Sequence, residues 1–191
     1  MKSFTVFFLV LASVASAQRS SLFEDRIESG GFGGPMIQVG SIGGNSAVFV
    51  GGKGGWLINH TFVLGGGAYG LVNNIAAKTV GPNGETQITF GYGGLLLEYW
   101  HESDALIHWS AALLVGGGGV DYKNHGGLSP ISSTSFFVAE PSLGIDLNVS
   151  DHFTVGAGAS YRLLSYFATS IADSKDLEGG SVYLVARFGK F

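Results

Sequence analysis

The chain contains no cysteine, few charged side chains and no cluster of basic residues. The lack of cysteine excludes disulfide bonds and thiolate metal sites. Lys, Arg, Asp and Glu make up only 13% of the 191 residues, which is low for a soluble domain. A net charge of −4 without any basic run gives no electrostatic basis for binding nucleic acid. Glycine, in contrast, is abundant, with 32 residues.

The first 17 residues have the pattern of an export signal. Lys2 supplies a positive charge, and residues 4–14 form an apolar stretch too short to span a bilayer as a helix. Ala15 and Ala17 match the small-residue pattern that precedes a cleavage site. We therefore expect residues 1–17 to be a cleaved signal peptide.

Apolar and polar residues alternate along two long segments near the C-terminus. Every second residue from Phe137 to Val149 is apolar, and the residues between them become polar towards Val149. The segment that follows has the same alternation. A period of two indicates β-strands with one side facing lipid and the other facing a polar interior. Extended along the chain, the pattern predicts eight strands, near residues 35–43, 46–58, 61–73, 86–101, 106–121, 136–149, 152–166 and 180–191.

Short and long connections alternate between the predicted strands. The connections at residues 59–60, 102–105 and 150–151 are tight turns, whereas those at 74–85, 122–135 and 167–179 are long and polar. The first outer connection, residues 43–45, is an exception because it is short. Outer-membrane barrels have short turns at one end and longer loops at the other. The predicted fold is all-β, an antiparallel up-and-down transmembrane β-barrel of about eight strands.

The chain resembles the small eight-stranded bacterial outer-membrane barrels typified by the OmpA membrane domain and OmpX. The resemblance covers residues 32–191 and rests on the strand pattern and on Phe191, an aromatic residue that ends the last strand. Residues 30–35 and 187–191 are also similar to an uncharacterised group of small bacterial barrel proteins. The resemblance implies a location in the outer membrane, contact with its lipid, and recognition of Phe191 by the barrel-assembly machinery. Residues 18–31 would then form a periplasmic lead-in to the barrel.

Most charged residues on the predicted strands fall on the polar face. A charge that faces lipid near the bilayer centre costs about 2–4 kcal/mol, so we expect these side chains inside the barrel. An eight-stranded barrel is just wide enough for side chains to fill its lumen. Glu140 and Arg162 lie nearly opposite each other on adjacent strands, which predicts an ion pair between them. The predicted lumen network consists of Lys53, Glu98, His108, Glu140, Asp146, Arg162 and Arg187.

Aromatic residues cluster close to the short turns. Aromatic rings favour the headgroup region and form girdles around membrane barrels. The girdle predicted at the short turns consists of Trp56, Tyr99, Trp100, Trp109 and Phe153. The girdle predicted at the opposite end consists of Tyr122, Phe136, Tyr166 and Phe167.

No sequence motif predicts a metal site or a cofactor. Residues 65–70 match G-x-G-x-x-G, but no helix or correctly spaced acidic residue follows, so we interpret these glycines as packing within a strand. His125, near Asp121 and several serines, is the one candidate for a catalytic residue.

The predicted function is structural or interactive. We expect any extracellular partner to contact the protein through loops 74–85, 122–135 and 167–179. Three alternatives stay open, which are a lipid-modifying enzyme, a narrow porin-like pore and a soluble exported barrel that binds a ligand.

Overall fold

The computed structural model describes residues 29–75, 86–124, 130–166 and 177–191. These residues form a closed barrel in which every strand is antiparallel to its two neighbours, and the last strand pairs with the first. Closure leaves neither edge of the sheet without a neighbouring strand. The strands are β1 (Ser29–Ile42), β2 (Asn45–Ile58), β3 (Phe62–Leu71), β4 (Thr86–His101), β5 (Ile107–Asn124), β6 (Pro130–Ser150), β7 (Phe153–Tyr166) and β8 (Gly179–Lys190). No helix within the described residues is long and apolar enough to cross a membrane.

The predicted eight-stranded antiparallel barrel is confirmed, but three strands extend beyond their predicted boundaries. β1 begins at Ser29 instead of near residue 35, β5 ends at Asn124 instead of near residue 121, and β6 begins at Pro130 instead of near residue 136. Most of the predicted connection 122–135 is therefore strand, and only residues 125–129 lie outside the described part. The reason is that the sequence of these strand ends is largely polar and lacks the alternation of apolar and polar residues that reveals a strand. Most of the predicted connections 74–85 and 167–179 also lie outside the described residues.

Tight turns with left-handed backbone conformations join three pairs of strands. Gly43 and Gly44 have φ angles of +57° and +83°, as required for a two-residue hairpin turn of the primed type. Asn59 and His60 have φ angles of 51° and 53°, and the amide of Thr61 closes that turn on the carbonyl of Ile58 at 3.1 Å. We call the end of the barrel with the β2–β3, β4–β5 and β6–β7 turns the inner end, and the opposite end the outer end.

Side chains alternate strictly between the lumen and the outer wall. On β6, the outward residues Leu143 and Ile145 are 65% and 63% exposed, whereas the lumen residues Glu140 and Asp146 are 4% and 1% exposed. On β8, the outward side chains are Val182, Leu184, Ala186, Phe188 and, at the end of the strand, Lys190. The outer wall is therefore largely apolar, and the buried charged groups of the strands are collected in the lumen.

Candidate functional site in the barrel lumen

The inner end of the lumen is closed by an apolar cluster. Phe32, Leu57, Val63 and Trp100 are buried there, and Phe191 packs against them. The ring centroids of Phe32 and Trp100 are 5.2 Å apart, and those of Trp100 and Phe191 are 5.7 Å apart. We call these five residues the inner plug.

Trp100 does not belong to the predicted aromatic girdle, because it faces the lumen and is only 1% exposed. Its neighbour Tyr99 points outward and contacts Phe62 and Trp109, with centroid distances of 5.5 and 5.6 Å. Consecutive residues of a strand face opposite sides, so only one of the pair can lie on the outer wall. The other members of the predicted girdle lie on the outer wall, with Trp56 51% exposed, Trp109 45% exposed, and Phe153 stacked on Phe188 at 4.8 Å.

A charged layer lies next to the inner plug. The ammonium group of Lys53 donates to both carboxylate oxygens of Glu98, at 3.0 and 3.1 Å. Arg187 joins two carboxylates, because its Nη2 donates to Glu98 Oε1 at 3.0 Å and its Nη1 donates to Asp146 Oδ1. Asp146 also accepts from the Ser110 hydroxyl at 2.6 Å. We call these five residues the charged layer; its two positive and two negative charges balance.

Arg187 and His108 connect the charged layer to the aromatic rings of the inner plug. The guanidinium group of Arg187 lies 5.7 Å from the ring centre of Phe32 and 5.3 Å from that of Trp100. His108 is buried opposite Asp146 in the β5–β6 register, and its ring lies 5.7 Å from that of Trp100. Neither ring nitrogen of His108 has a hydrogen-bond partner among the described residues.

A second polar cluster, which we call the middle layer, contains Gln38, Tyr92 and Glu140. The Gln38 side-chain amide donates to Glu140 Oε1 at 3.1 Å, and the Tyr92 hydroxyl donates to Gln38 Oε1 at 3.0 Å. Sequence reasoning did not identify Gln38 and Tyr92 as network members. Both residues lie at strand positions that face the lumen, so the alternation along β1 and β4 could have identified them.

The predicted ion pair between Glu140 and Arg162 is not formed among the described residues. The two residues are opposite in register, since the neighbouring pair is Ala139 and Leu163. However, Arg162 donates to the carbonyls of Leu177 at 3.0 Å and Ser41 at 3.4 Å. The ring centre of Tyr92 lies 5.7 Å from the Arg162 guanidinium group. Tyr92 interacts electrostatically with both Glu140 and Arg162. The prediction was wrong because the side chain of Gln38 donates to Glu140, while backbone carbonyls accept from Arg162.

Among the described residues, apolar side chains surround Arg162 at the outer end of the lumen. The guanidinium group lies 4.7 Å from the ring centre of Phe49 and 5.2 Å from that of Phe90. Phe136 stacks on Phe90 at 5.0 Å, so it belongs to the lumen and not to the predicted outer girdle, again because of its strand parity. We call this region the outer plug, which consists of Ile42, Ala47, Phe49, Ile75, Phe90, Val120, Phe136, Val138, Leu164 and Leu177 around Arg162. The other predicted outer-girdle side chains, Tyr122, Tyr166 and Phe167, lie outside the described side chains.

The described part of the lumen is thus packed at both ends, and its charges balance. Three positive side chains (Lys53, Arg162 and Arg187) and three negative ones (Glu98, Glu140 and Asp146) are buried there. This arrangement resembles a polar protein core more than a channel, and it gives no support to the pore alternative. Within the described ranges, no group of His, Asp and Glu side chains could hold a metal ion. The catalytic candidate His125 lies outside those ranges, whereas Asp121 lies on the outward face of β5.

Comparisons with known proteins support the fold. No protein-family model and no curated protein sequence matches the chain. Among solved structures, the chain is similar to Neisserial surface protein A, with a TM-score of 0.59, 12% identity, and coverage of 87% of this chain and 100% of that chain. It is also similar to Ail, the attachment invasion locus protein of Yersinia pestis, at a TM-score of 0.51 and 13% identity, covering 86% and 99% of the two chains.

The N-terminal β-barrel domain of Pseudomonas aeruginosa OprF gives a TM-score of 0.51 at 12% identity, with 86% of this chain and 99% of that chain covered. At such low identity these similarities establish the architecture of a small eight-stranded barrel. The predicted resemblance in fold to small outer-membrane barrels is therefore confirmed.

Proposed function

We propose that the protein is an integral protein of the bacterial outer membrane that makes surface contacts, or supports the envelope, through the outer ends of its strands. In this proposal residues 1–17 are removed on export, and the barrel-assembly machinery recognises the last strand with Phe191. The supporting features are the apolar outer wall, the filled lumen and a polar extension at the outer end.

The apolar outer wall supports the proposal that lipid, and not water, surrounds the barrel. Large apolar side chains such as Leu143, Leu184 and Ile145 are each more than 60% exposed, and similar residues are found on all eight strands. A continuous apolar surface of this extent is rare on soluble monomers and would lead to aggregation in water. This observation argues against the soluble ligand-binding alternative.

The polar extension of β4, β5 and β6 is the observation that carries the proposed surface role. A strand crosses a bilayer with about 9–11 residues, whereas β5 and β6 have 18 and 21 residues. At the outer end, β4 continues beyond its last described pair with β3, and β6 continues beyond its last described pair with β7. The outward positions there are Thr89, Asp121 and Ser135, whereas the outward positions in the middle of these strands are apolar residues or glycine. We therefore infer that the extension stands clear of the lipid.

The filled lumen leaves the exposed surfaces as the parts available for contact with other molecules. Ail is named as an attachment and invasion protein, and its structure was solved with the heparin analogue sucrose octasulfate. We propose an attachment role of this general kind for the present chain. The negative charge of Asp121 on the extension does not favour a sulfated partner, so we leave the chemistry of the partner open.

A shortened variant tests this proposal. Val120 and Thr134 are directly paired, so residues 121–133 can be replaced by an Asn-Gly turn that keeps Val120 in the outer plug. Bacteria that lack the protein would be complemented with the wild type or the shortened variant, after both are shown to fold by heat-dependent gel mobility. We expect the variant to lose attachment to host cells or matrix while it restores resistance to detergents. Equal attachment by both forms, together with unchanged detergent resistance in the strain lacking the protein, would contradict the proposal.

A further inference from the structure

A small cavity lies in the lumen between the charged layer and the middle layer. Its volume is about 20 Å³, and its polar lining consists of Gln38, Lys53, Tyr69, Glu140 and Ser142. The rest of its lining is apolar. The cavity therefore lies between the two polar clusters of the barrel and borders members of both.

Glu140, one of the residues that line this cavity, has a carboxylate oxygen without a hydrogen-bond partner among the described residues. Glu140 is only 4% exposed, and its Oε1 accepts a hydrogen bond from Gln38. Its Oε2 is shielded from solvent and has no hydrogen-bond partner within the described ranges. Buried polar atoms in folded proteins nearly always have a partner, either protein or ordered water. This oxygen therefore indicates a bound ligand that can donate a hydrogen bond.

Lys53, another residue that lines the cavity, offers a donor. Lys53 uses its ammonium group on both oxygens of Glu98. An ammonium group has three N–H donors, so one donor remains for a third acceptor. A ligand between Lys53 and Glu140 must consequently both donate and accept hydrogen bonds. The positive charge of Lys53 disfavours a metal cation, and the negative charge of Glu140 disfavours an anion.

The volume of the cavity limits the ligand to the size of one water molecule. A single water requires roughly 10–15 Å³ of such volume, and it needs two to four polar partners. We propose that this cavity binds one internal water molecule, which donates to Glu140 Oε2 and accepts from the Lys53 ammonium group. The water joins the charged layer and the middle layer into one hydrogen-bonded network across the lumen.

Water-to-methyl cross-relaxation tests the site directly in the wild-type protein. Perdeuterated protein with protonated methyl groups on Met, Leu and Val would be studied in lipid nanodiscs. Met36, Leu96 and Leu114 line the cavity, whereas Val120 and Val138 are buried in the outer plug and serve as controls. We expect cross-relaxation with water at the three cavity methyls and none at the two valines. Equal signals at both groups, or no signal at the cavity methyls, would overturn the proposal.

The Tyr69 hydroxyl requires its own control, because it borders the cavity and its exchanging proton can relay magnetisation from bulk water. The Tyr69→Phe variant removes this relay and keeps both proposed partners of the water. The cross-relaxation at Leu96 and Leu114 should persist in this variant. Its loss would mean that the hydroxyl proton, and not a bound water, produces the signal.

A substitution that fills the cavity gives a second test. The proposal is decided by whether this variant is less stable or more stable than a matched control variant. Ser142→Thr adds a methyl group at the cavity, while Ser160→Thr adds the same group on the directly paired lumen residue outside its lining. If water occupies the cavity, Ser142→Thr expels it and should lower the folding equilibrium constant roughly tenfold relative to Ser160→Thr. Stability equal to or greater than that of Ser160→Thr would indicate a dry cavity that gains packing. If Ser142→Thr does not fold, the cross-relaxation measured on the wild-type protein still decides whether the cavity holds water.

Discussion

Replacing Arg187 with methionine should destabilise the barrel strongly, because this residue alone bridges two buried carboxylates. Arg187 is 0% exposed and pairs with Glu98 and Asp146. Glu98 would retain Lys53 as its partner in the variant. Among the described residues, Asp146 would retain only the hydroxyl of Ser110 as a hydrogen-bond donor and would become a buried negative charge without a directly paired cation.

The expected loss has two parts of different size. Leaving a buried charge unpaired costs about 3–5 kcal/mol. The loss of the guanidinium contact with the rings of Phe32 and Trp100 adds about 0.5–2 kcal/mol. A double-mutant cycle with Asp146→Asn separates the two parts, because the ring contacts cancel in the coupling energy. We expect a coupling of about 2–3 kcal/mol, in the upper range for residues in contact.

The assay is reversible urea unfolding of each variant in lipid vesicles, followed by tryptophan fluorescence and gel mobility. The cycle Glu140→Gln with Arg162→Met serves as the control, since these two opposed residues form no ion pair. Its coupling energy should be clearly smaller than that of the Asp146–Arg187 cycle. Additive effects of Arg187→Met and Asp146→Asn, or a larger coupling in the control cycle, would refute the reasoning.

Three further predictions concern the wall and the inner plug. Leu143→Arg places a charge on the lipid-facing wall and should cost about 2–4 kcal/mol in the same unfolding assay, and an effect no larger than that of Leu143→Ala would contradict the assigned facing. In single-tryptophan variants, lipids with quenchers at the interface should quench Trp56 and Trp109 strongly and Trp100 weakly, whereas equal quenching would place Trp100 in lipid. Phe191→Ala should lower stability by about 2–3 kcal/mol, slightly less than the cost of truncating a fully buried phenylalanine. Unchanged stability would mean that the Phe191 ring does not hold the inner plug together.

The parts of the strands at membrane level could be predicted from sequence because lipid requires an apolar residue at every second position. The alternation on β6 between Phe137 and Val149 illustrates this constraint. Above the membrane the constraint disappears, and Asp121 and Ser135 are tolerated on the outward face. The outer ends of β5 and β6 were consequently predicted as a loop, although their backbone continues as paired strands.

The facing of lumen residues also follows from sequence, whereas their contacts do not. Trp100 has the same parity as Glu98 on β4, so the alternation itself indicates that it faces the lumen. The level of an aromatic residue along the barrel does not reveal which side it faces. Partners across the lumen, such as Gln38 for Glu140, come from strands far apart in sequence. Spacing along one hairpin cannot identify them, and only the packing of all eight strands brings them together.

The most direct test of a filled barrel in lipid is a scan of single nitroxide-labelled cysteines along β6. The chain has no native cysteine, so each position from Phe137 to Val149 can be labelled separately in a bilayer. We predict that oxygen, which dissolves in lipid, reaches the odd-numbered positions, while a water-soluble nickel chelate reaches neither set. Access of the nickel chelate to the even-numbered positions would indicate an open pore, and its access to the odd-numbered positions would place the wall in water. Either result would contradict this account.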